Sequence, residues 1–220
     1  MHPPKNPVVL ITAGPTREYI DPVRFITNAS SGLMGYMIAG CAGRANARVI
    51  LVSGPTHLIA PKNVKTIYVN TTKEMYGVAR KYFPEADISI FSAAVSDFRL
   101  KKIFKNKLKV RTLNLHLTRN IDILSSLTGM SCRKKKIVVG FAVETENLMA
   151  NALNKLKSKN LDFIVLNSLN DKGAGFGGST NKVTFIDRDD TLKEYKLKPK
   201  TEVADDIIEH IIEIQKLKIK

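Results

Sequence analysis

The chain has 220 residues, 44% of them hydrophobic, enough to bury one sizeable core and short for two full domains, so a single domain with an appended flap is expected. Thirty-five Lys and Arg against twenty Asp and Glu leave a formal charge of +15, which favours a polyanionic partner: nucleic acid, an anionic lipid surface or phosphorylated metabolites. Two isolated cysteines, four scattered histidines and no apolar run near the roughly 20 residues of a bilayer span argue against a disulfide scaffold, a local zinc motif, a histidine-dependent hydrolase and a membrane helix, and Met1 to Asn6 carries no secretory signal, so the cytoplasm is the expected compartment.

The first strand, Val8 to Thr12, runs into Ala13-Gly14-Pro15-Thr16, and after a polar loop a helix from Gly32 to Arg44 opens at Asn28-Ala29-Ser30-Ser31. Ser30 or Ser31 can cap this helix, and Gly32 lets backbone N–H groups approach an anion that the helix dipole favours, so Gly14, Ser31 and Gly32 are candidate phosphate or carboxylate contacts. A loop of about 17 residues between a strand and its helix is long enough to suggest function. The glycines here, Gly14, Gly32, Gly35 and Gly40, match neither the dinucleotide fingerprint nor the G-x-x-x-x-G-K-[ST] phosphate loop, so a triphosphate would be held by dispersed side chains and helix ends.

Strands are predicted at Ala47 to Val52 and Val64 to Val69, then a helix at Thr72 to Tyr82 opened by a Thr71–Glu74 capping box. A fourth strand, Ala86 to Phe91, leads into Ser92-Ala93-Ala94-Val95-Ser96-Asp97, where small residues leave room for a flat ring and Asp97 can bind a hydroxyl or a hydrated magnesium ion. Leu100 to Leu117, with six Lys and Arg among alternating apolar residues, reads either as a basic edge strand or as a mobile flap. A helix at Ile121 to Thr128 precedes the basic run Arg133 to Lys136, for which a solvated surface is the plainest reading, as it is for Lys216 to Lys220.

The strand Lys136 to Phe141 places Phe141 at its end, and the following helix, Leu148 to Lys159, carries Lys155 and Lys159 on one face, able to clamp phosphates or simply to be solvated. After a strand at Asp162 to Leu166, the glycine-rich Lys172 to Gly178 suits a lid or a plain surface loop. An antiparallel hairpin, Lys182 to Ile186 with Leu192 to Leu197, comes before a last helix from Glu202 to Leu217. This alternation predicts an α/β fold: a Rossmann-like, doubly wound, mostly parallel sheet with helices on both faces, a basic flap and a C-terminal antiparallel hairpin, its ligand crevice at the carboxyl ends of the strands. An oxidoreductase on this fold lacks its glycine fingerprint, and with 7% aromatic residues and no stacking motif among the basic runs, nucleic acid is not the expected partner.

The order of segments from about residue 8 to 187 resembles the phosphopantothenate–cysteine ligases of coenzyme A biosynthesis, the C-terminal domain family of DNA/pantothenate metabolism flavoproteins. The resemblance is carried by Ile11-Thr12-Ala13-Gly14-Pro15-Thr16-Arg17-Glu18, Asp21-Pro22-Val23-Arg24-Phe25-Ile26-Thr27-Asn28, Ser30-Ser31-Gly32, Ala93 to Phe98, Lys107-Leu108-Lys109, Gly140 to Thr145 and Phe176 to Asn181. It implies that CTP, in preference to ATP, activates 4'-phosphopantothenate as an acyl-cytidylate with release of pyrophosphate, and that the amino group of cysteine then displaces CMP, with Mg²⁺ and no flavin. It further implies Asn28, beside Ala29, as the residue orienting the activated carbonyl, Arg24 on the phosphopantothenate side, and Lys107 on a flap that closes over the triphosphate. Implied nucleotide contacts are Phe91, Ser92, Ala93, Asp97 (also the candidate metal contact), Asn120, Ile121, Asp122, Ile123, Phe141, Lys155 and Lys159.

Leu33, Val110 and Ile121 depart from the Lys, Lys and Pro common in relatives, which bears on affinity more than on reaction. With only Met1 to Pro7 ahead of the first strand, a stand-alone ligase is expected, homodimeric, with a separate decarboxylase as a possible associate and no membrane partner.

Overall fold

The computed structural model describes residues 6–168 and 178–219. In chain order the elements are β1 (Val8–Ala13), β2 (Arg17–Tyr19), β3 (Phe25–Thr27), α1 (Leu33–Arg44), β4 (Arg48–Ser53), β5 (Lys65–Tyr68), α2 (Thr72–Tyr82), β6 (Ile88–Phe91), β7 (Phe98–Leu100), β8 (Leu117–Arg119), α3 (Ile123–Thr128), β9 (Ile137–Glu144), α4 (Leu148–Ser158), β10 (Phe163–Ser168), β11 (Thr180–Asn181), β12 (Val183–Asp187), β13 (Leu192–Glu194), β14 (Lys198–Pro199) and α5 (Lys200–Ile219). Among the described residues no helix is long and apolar enough to cross a membrane.

The period-2 geometry of a strand sends successive side chains to opposite faces, and β1 shows the result: Val9, Ile11 and Ala13 join one core cluster while Leu10 joins the other. Both faces are apolar because both are covered, by α1 and α5 on one side and by α2, α3 and α4 on the other. The eight-stranded sheet runs β13-β12-β10-β9-β6-β1-β4-β5, parallel from β10 to β5, with β12 and β13 added antiparallel at one edge. This is the predicted doubly wound sheet, and the hairpin turns at Asp190 (φ 65°) as the Arg188-Asp189-Asp190 run suggests. Chain order reverses between β1 and β6, so the crevice outside their carboxyl ends is the topological switch point.

Several expectations are corrected. The Thr71–Glu74 capping box is present on α2, but α1 is not capped by a serine: its N-cap is Gly32, left-handed at φ 78°, without a side-chain cap. The hydroxyls of Ser30 and Ser31 instead accept from Gly32 N and Leu33 N, at 3.2 and 3.4 Å, two residues on. Helix α3 begins at Ile123, because Asp122 takes the cap position and accepts Ser125 N at 2.9 Å, which leaves Asn120 and Ile121 in the preceding loop. β9 continues to Glu144, three residues past Phe141, because it lies between β6 and β10 and its pairing with β10 extends to Ser168.

The edge-strand reading of the basic segment fails: β7 and β8 form a two-stranded ribbon apart from the main sheet, and residues 101–116 between them make a flap without regular strands. The run Arg133 to Lys136 is not simply solvated either, since Arg133 and Lys136 are buried while Lys134 and Lys135 are exposed. Most of the glycine-rich stretch, residues 169–177, lies outside the described residues.

Candidate active site

At the switch point the exits of β1 and β6 are bonded to each other. Ser92 Oγ donates to Thr12 O at 2.7 Å, Ala94 N to Gly14 O at 3.0 Å, and Pro15 and Ala94 form a parallel bridge. Such close approach needs small residues. A Cβ on Gly35 would lie 2.5 Å from both Ala13 Cβ and Ser92 Oγ, so the start of α1 can sit on these strand ends only because that position is bare.

The long loop after β1 is not irregular throughout. β2 and β3 pair as a short antiparallel ribbon that returns the chain to the crevice and ends at Asn28. Thr16 is its hub: its hydroxyl accepts Ser96 N and bonds Thr72 Oγ1, both at 3.0 Å, and its carbonyl accepts Thr27 Oγ1 at 2.8 Å. Glu18, buried, accepts Thr72 N at 3.0 Å and the Thr72 hydroxyl at 2.7 Å. A buried chain of polar groups therefore fastens the ribbon to the start of α2 and to the 92–97 segment. Asn28 is exposed, and its Nδ2 donates to the carbonyls of Ala94 and Val95 at 3.1 Å each.

The other side of the crevice gathers residues far apart in sequence. Asn120 N donates to Asp97 O at 2.7 Å, which joins the 92–97 segment to the start of α3. Lys159 reaches Asp122 Oδ2 at 2.5 Å and Ser125 Oγ at 2.7 Å, and Lys155 Nζ donates to Phe141 O at 2.7 Å. Burial would raise the Asp122 carboxyl, but the Lys159 ammonium and Ser125 N–H outweigh it and lower it below its ordinary range. The two lysines thus hold protein oxygens at the crevice rather than standing as a bare clamp, and a phosphate would compete with those oxygens. The ring of Phe91 is buried against Phe83, centroids 6.5 Å apart, so what Phe91 presents at the crevice is its backbone.

Arg24 pairs with Asp21, a fully buried carboxylate in the β2–β3 loop, and both of its terminal nitrogens approach Leu108 O in the flap at 3.4 Å. Lys107 is exposed beside Leu108. Asp97 is exposed, and among the described residues no three His, Cys, Asp or Glu side chains gather to hold a metal, so this donor set suits an ion brought in on phosphates better than one bound by protein alone.

On the β4–β5 side of Asn28 opens a cleft of 660 Å³, lined by Arg17, Asn28, Ser31, Thr56, His57 and Tyr68 among others. That size suits a small-molecule ligand. Sequence reasoning gave no site role to Arg17, His57 and Tyr68, although their places, at the start of β2, in the loop after β4 and at the carboxyl end of β5, are the signal the fold supplies. Thr16, Glu18 and Asp21 entered the sequence reading only within the motifs that carry the resemblance, with no role assigned to them.

The profile of the DNA/pantothenate metabolism flavoprotein C-terminal domain matches residues 5–215. The chain is 46% identical over 209 residues to a cysteine/cysteine sulfinic acid decarboxylase of an unknown prokaryotic organism, covering 93% of this chain and 57% of that protein. It is 43% identical over 211 residues to the coenzyme A biosynthesis bifunctional protein CoaBC of Bacillus subtilis, covering 94% and 52%. It thus spans about half the length of the curated relatives it matches. Among solved structures, the C-terminal domain of a coenzyme A biosynthesis bifunctional protein CoaBC superposes with a TM-score of 0.83 at 40% identity, covering 96% of this chain and 97% of that one.

Proposed function

The chain belongs to the DNA/pantothenate metabolism flavoprotein C-terminal domain family, and from that premise we propose that its 220 residues act as one phosphopantothenate–cysteine ligase domain with a flap at about 100–117. In the proposed first step a carboxylate oxygen of 4'-phosphopantothenate attacks the α-phosphorus of CTP; an acyl–phosphate bond forms and pyrophosphate leaves. The amine of cysteine then attacks the acyl carbon, CMP departs with the bonding pair, and the amine proton passes to solvent.

The observation that carries this reading is the seat of Asn28 on the Ala94 and Val95 carbonyls. That seat sets a carboxamide against the segment leaving β6, beside the Ser30–Gly32 turn that would cradle an anion. An amide N–H there can turn from a backbone carbonyl to the oxygen on which negative charge develops. Mg²⁺ would travel with the triphosphate, with Asp97 as its protein contact, and would supply charge neutralisation. Arg24 would serve the phosphate of phosphopantothenate, and the 660 Å³ cleft leaves room for a polar chain next to Asn28.

A homodimer fits the apolar side chains exposed on the flap and its ribbon, Phe98 (48%), Val110 (60%) and Leu117 (46%), which a second copy would cover. The cytoplasm is the matching compartment, and a separate decarboxylase is a further candidate partner.

Pyrophosphate release is the direct test. Purified protein given 4'-phosphopantothenate, cysteine and Mg²⁺ should release it in a phosphopantothenate-dependent way, faster with CTP than with ATP. Silence with both nucleotides from folded protein would leave a basic nucleotide-binding protein without ligase activity. Lys107→Ala should raise the KM for nucleotide by roughly ten- to a hundredfold, as loss of a charge-assisted hydrogen bond to phosphate does. Steady-state kinetics across nucleotide concentrations would read this, and an unchanged KM would remove Lys107 from the site.

A further inference from the structure

We propose that Asp21 is a positioning residue: by clamping the backbone of Leu108 it holds the flap in place and so sets Lys107, Lys109 and Arg24 for the anionic substrates. Asp21 lies in the short turn between β2 and β3, where a carboxylate would ordinarily be solvated, yet its side chain has 0% exposure. All its partners are donors. One oxygen accepts Val23 N at 2.8 Å and Arg24 N at 2.9 Å, which forms the turn itself. The other accepts Leu108 N at 3.2 Å, 87 positions away, and pairs with the Arg24 guanidinium, which in turn reaches Leu108 O. Both polar backbone groups of Leu108 are thereby engaged from the same two side chains.

Burial alone would raise the Asp21 carboxyl, but the N–H groups of Val23, Leu108 and Arg24, together with the Arg24 guanidinium, outweigh it and hold it at about 2. The clamp is thus charged throughout the physiological range. A second tie, Phe104 N to Ile20 O at 2.9 Å, lies on the same stretch.

Across residues 101–110 Leu108 alone is half-buried; the other nine are exposed. A segment so poor in contacts has little else to order it, and each residue left free costs roughly 1–2 kcal/mol of backbone entropy when a ligand must fix it. Fastening the residue between Lys107 and Lys109 removes most of that cost at the two cations. The flap is therefore pinned near its lysines before substrate arrives, and any closure over a triphosphate is a pivot about Leu108 rather than the folding of a free loop. Arg24, held by the same carboxylate, moves with it.

The kinetic arm of the test rests on the ligase reading; the other arm does not. In Asp21→Asn one acceptor oxygen becomes an NH2 group, which must face either the Val23 and Arg24 N–H groups or the Leu108 N–H and the Arg24 guanidinium, donors it cannot serve. Trypsin should then cut between Lys101 and Arg111 roughly tenfold faster or more, because local opening of the flap becomes cheaper, while the rest of the chain melts as before. Leu108→Pro deletes the flap's N–H and leaves Asp21 with its other three donors; it should expose the same bonds, and it serves if Asp21→Asn does not fold. The KM for nucleotide should rise roughly tenfold in Asp21→Asn, and Asp21→Asn combined with Lys107→Ala should raise it by less than the product of the two single effects, since Asp21 acts in part through Lys107. Unchanged flap cleavage in the folded variants would overturn the proposal, as would effects on KM that multiply. Cleavage is read without substrate, so a chain that releases no pyrophosphate but shows the protease result would lose the ligase reading and keep the clamp.

Discussion

Asn28→Ala is expected to lower pyrophosphate release by roughly 10²–10³-fold, the loss seen when one preorganised donor to a developing oxyanion is removed, with little change in melting temperature. Stability should hold because Asn28 is exposed and the two carbonyls to which its amide donates can be satisfied by water in its place. Asn28→Asp should be as damaging although it keeps the shape: a carboxylate would face the Ala94 and Val95 carbonyls with no hydrogen to offer and would repel an incoming triphosphate. Phosphopantothenate-dependent pyrophosphate release, measured beside a thermal melt for each variant, reads both effects. A loss smaller than about tenfold in Asn28→Ala would mean that the developing charge is met elsewhere and that Asn28 only shapes the loop.

The second large effect lies at the opposite, amino-terminal end of the sheet and concerns folding. Arg133 and Asp162 form a buried pair, both side chains 5% exposed, at 2.7 Å. The Asp162 carboxylate also accepts Val138 N at 2.7 Å, while Arg133 donates from Nε to Asn160 O at 3.0 Å and from a terminal nitrogen to Lys136 O at 2.8 Å. Lys136 continues the network, its ammonium donating to Pro84 O at 2.8 Å and Ala86 O at 2.6 Å. The group ties the entries of β6, β9 and β10 together.

Asp162→Ala leaves a guanidinium buried without its counter-charge and a strand N–H without an acceptor. The expected cost is roughly 3–5 kcal/mol, and for a chain of this size a fall in melting temperature on the order of 6–20 °C. Differential scanning calorimetry would check it, and a fall under about 2 °C would show that the pair adds little beyond its packing. Substrate affinity in the surviving folded fraction should be untouched, because this network sits at the far end of the strands from the crevice.

The two networks show where sequence reasoning holds and where it stops. The six parallel strands and the five helices were legible because apolar runs and 3.6-residue periods are local properties, and the capping box on α2 needs only two residues three positions apart. Asn28 and Asp97 were placed at strand and helix ends by the same logic, Asn120 and Asp122 were implied by the resemblance, and the fold joins Asn120 to Asp97 through a backbone hydrogen bond. The burial of the Phe91 ring was not legible, because composition does not say which face of a strand end is covered; Phe83, at the end of α2, covers it. Lys155 and Lys159 looked free because an amphipathic helix shows which residues face the sheet and not which oxygens meet them there.

The sequence by itself determined the alternation of elements, the apolar faces that force helices onto both sides of the sheet, and the order of motifs that marks the family. Only the tertiary structure decided that β6 returns beside β1, that Thr16 meets Ser96 and Thr72, that Arg133 is buried on Asp162, and that Asp21 closes on Leu108. The reason is physical. Apolar burial follows a short repeat and can be read residue by residue, whereas a buried polar group must find one particular partner, and here those partners lie 29 to 87 positions away, within reach only after the sheet has closed.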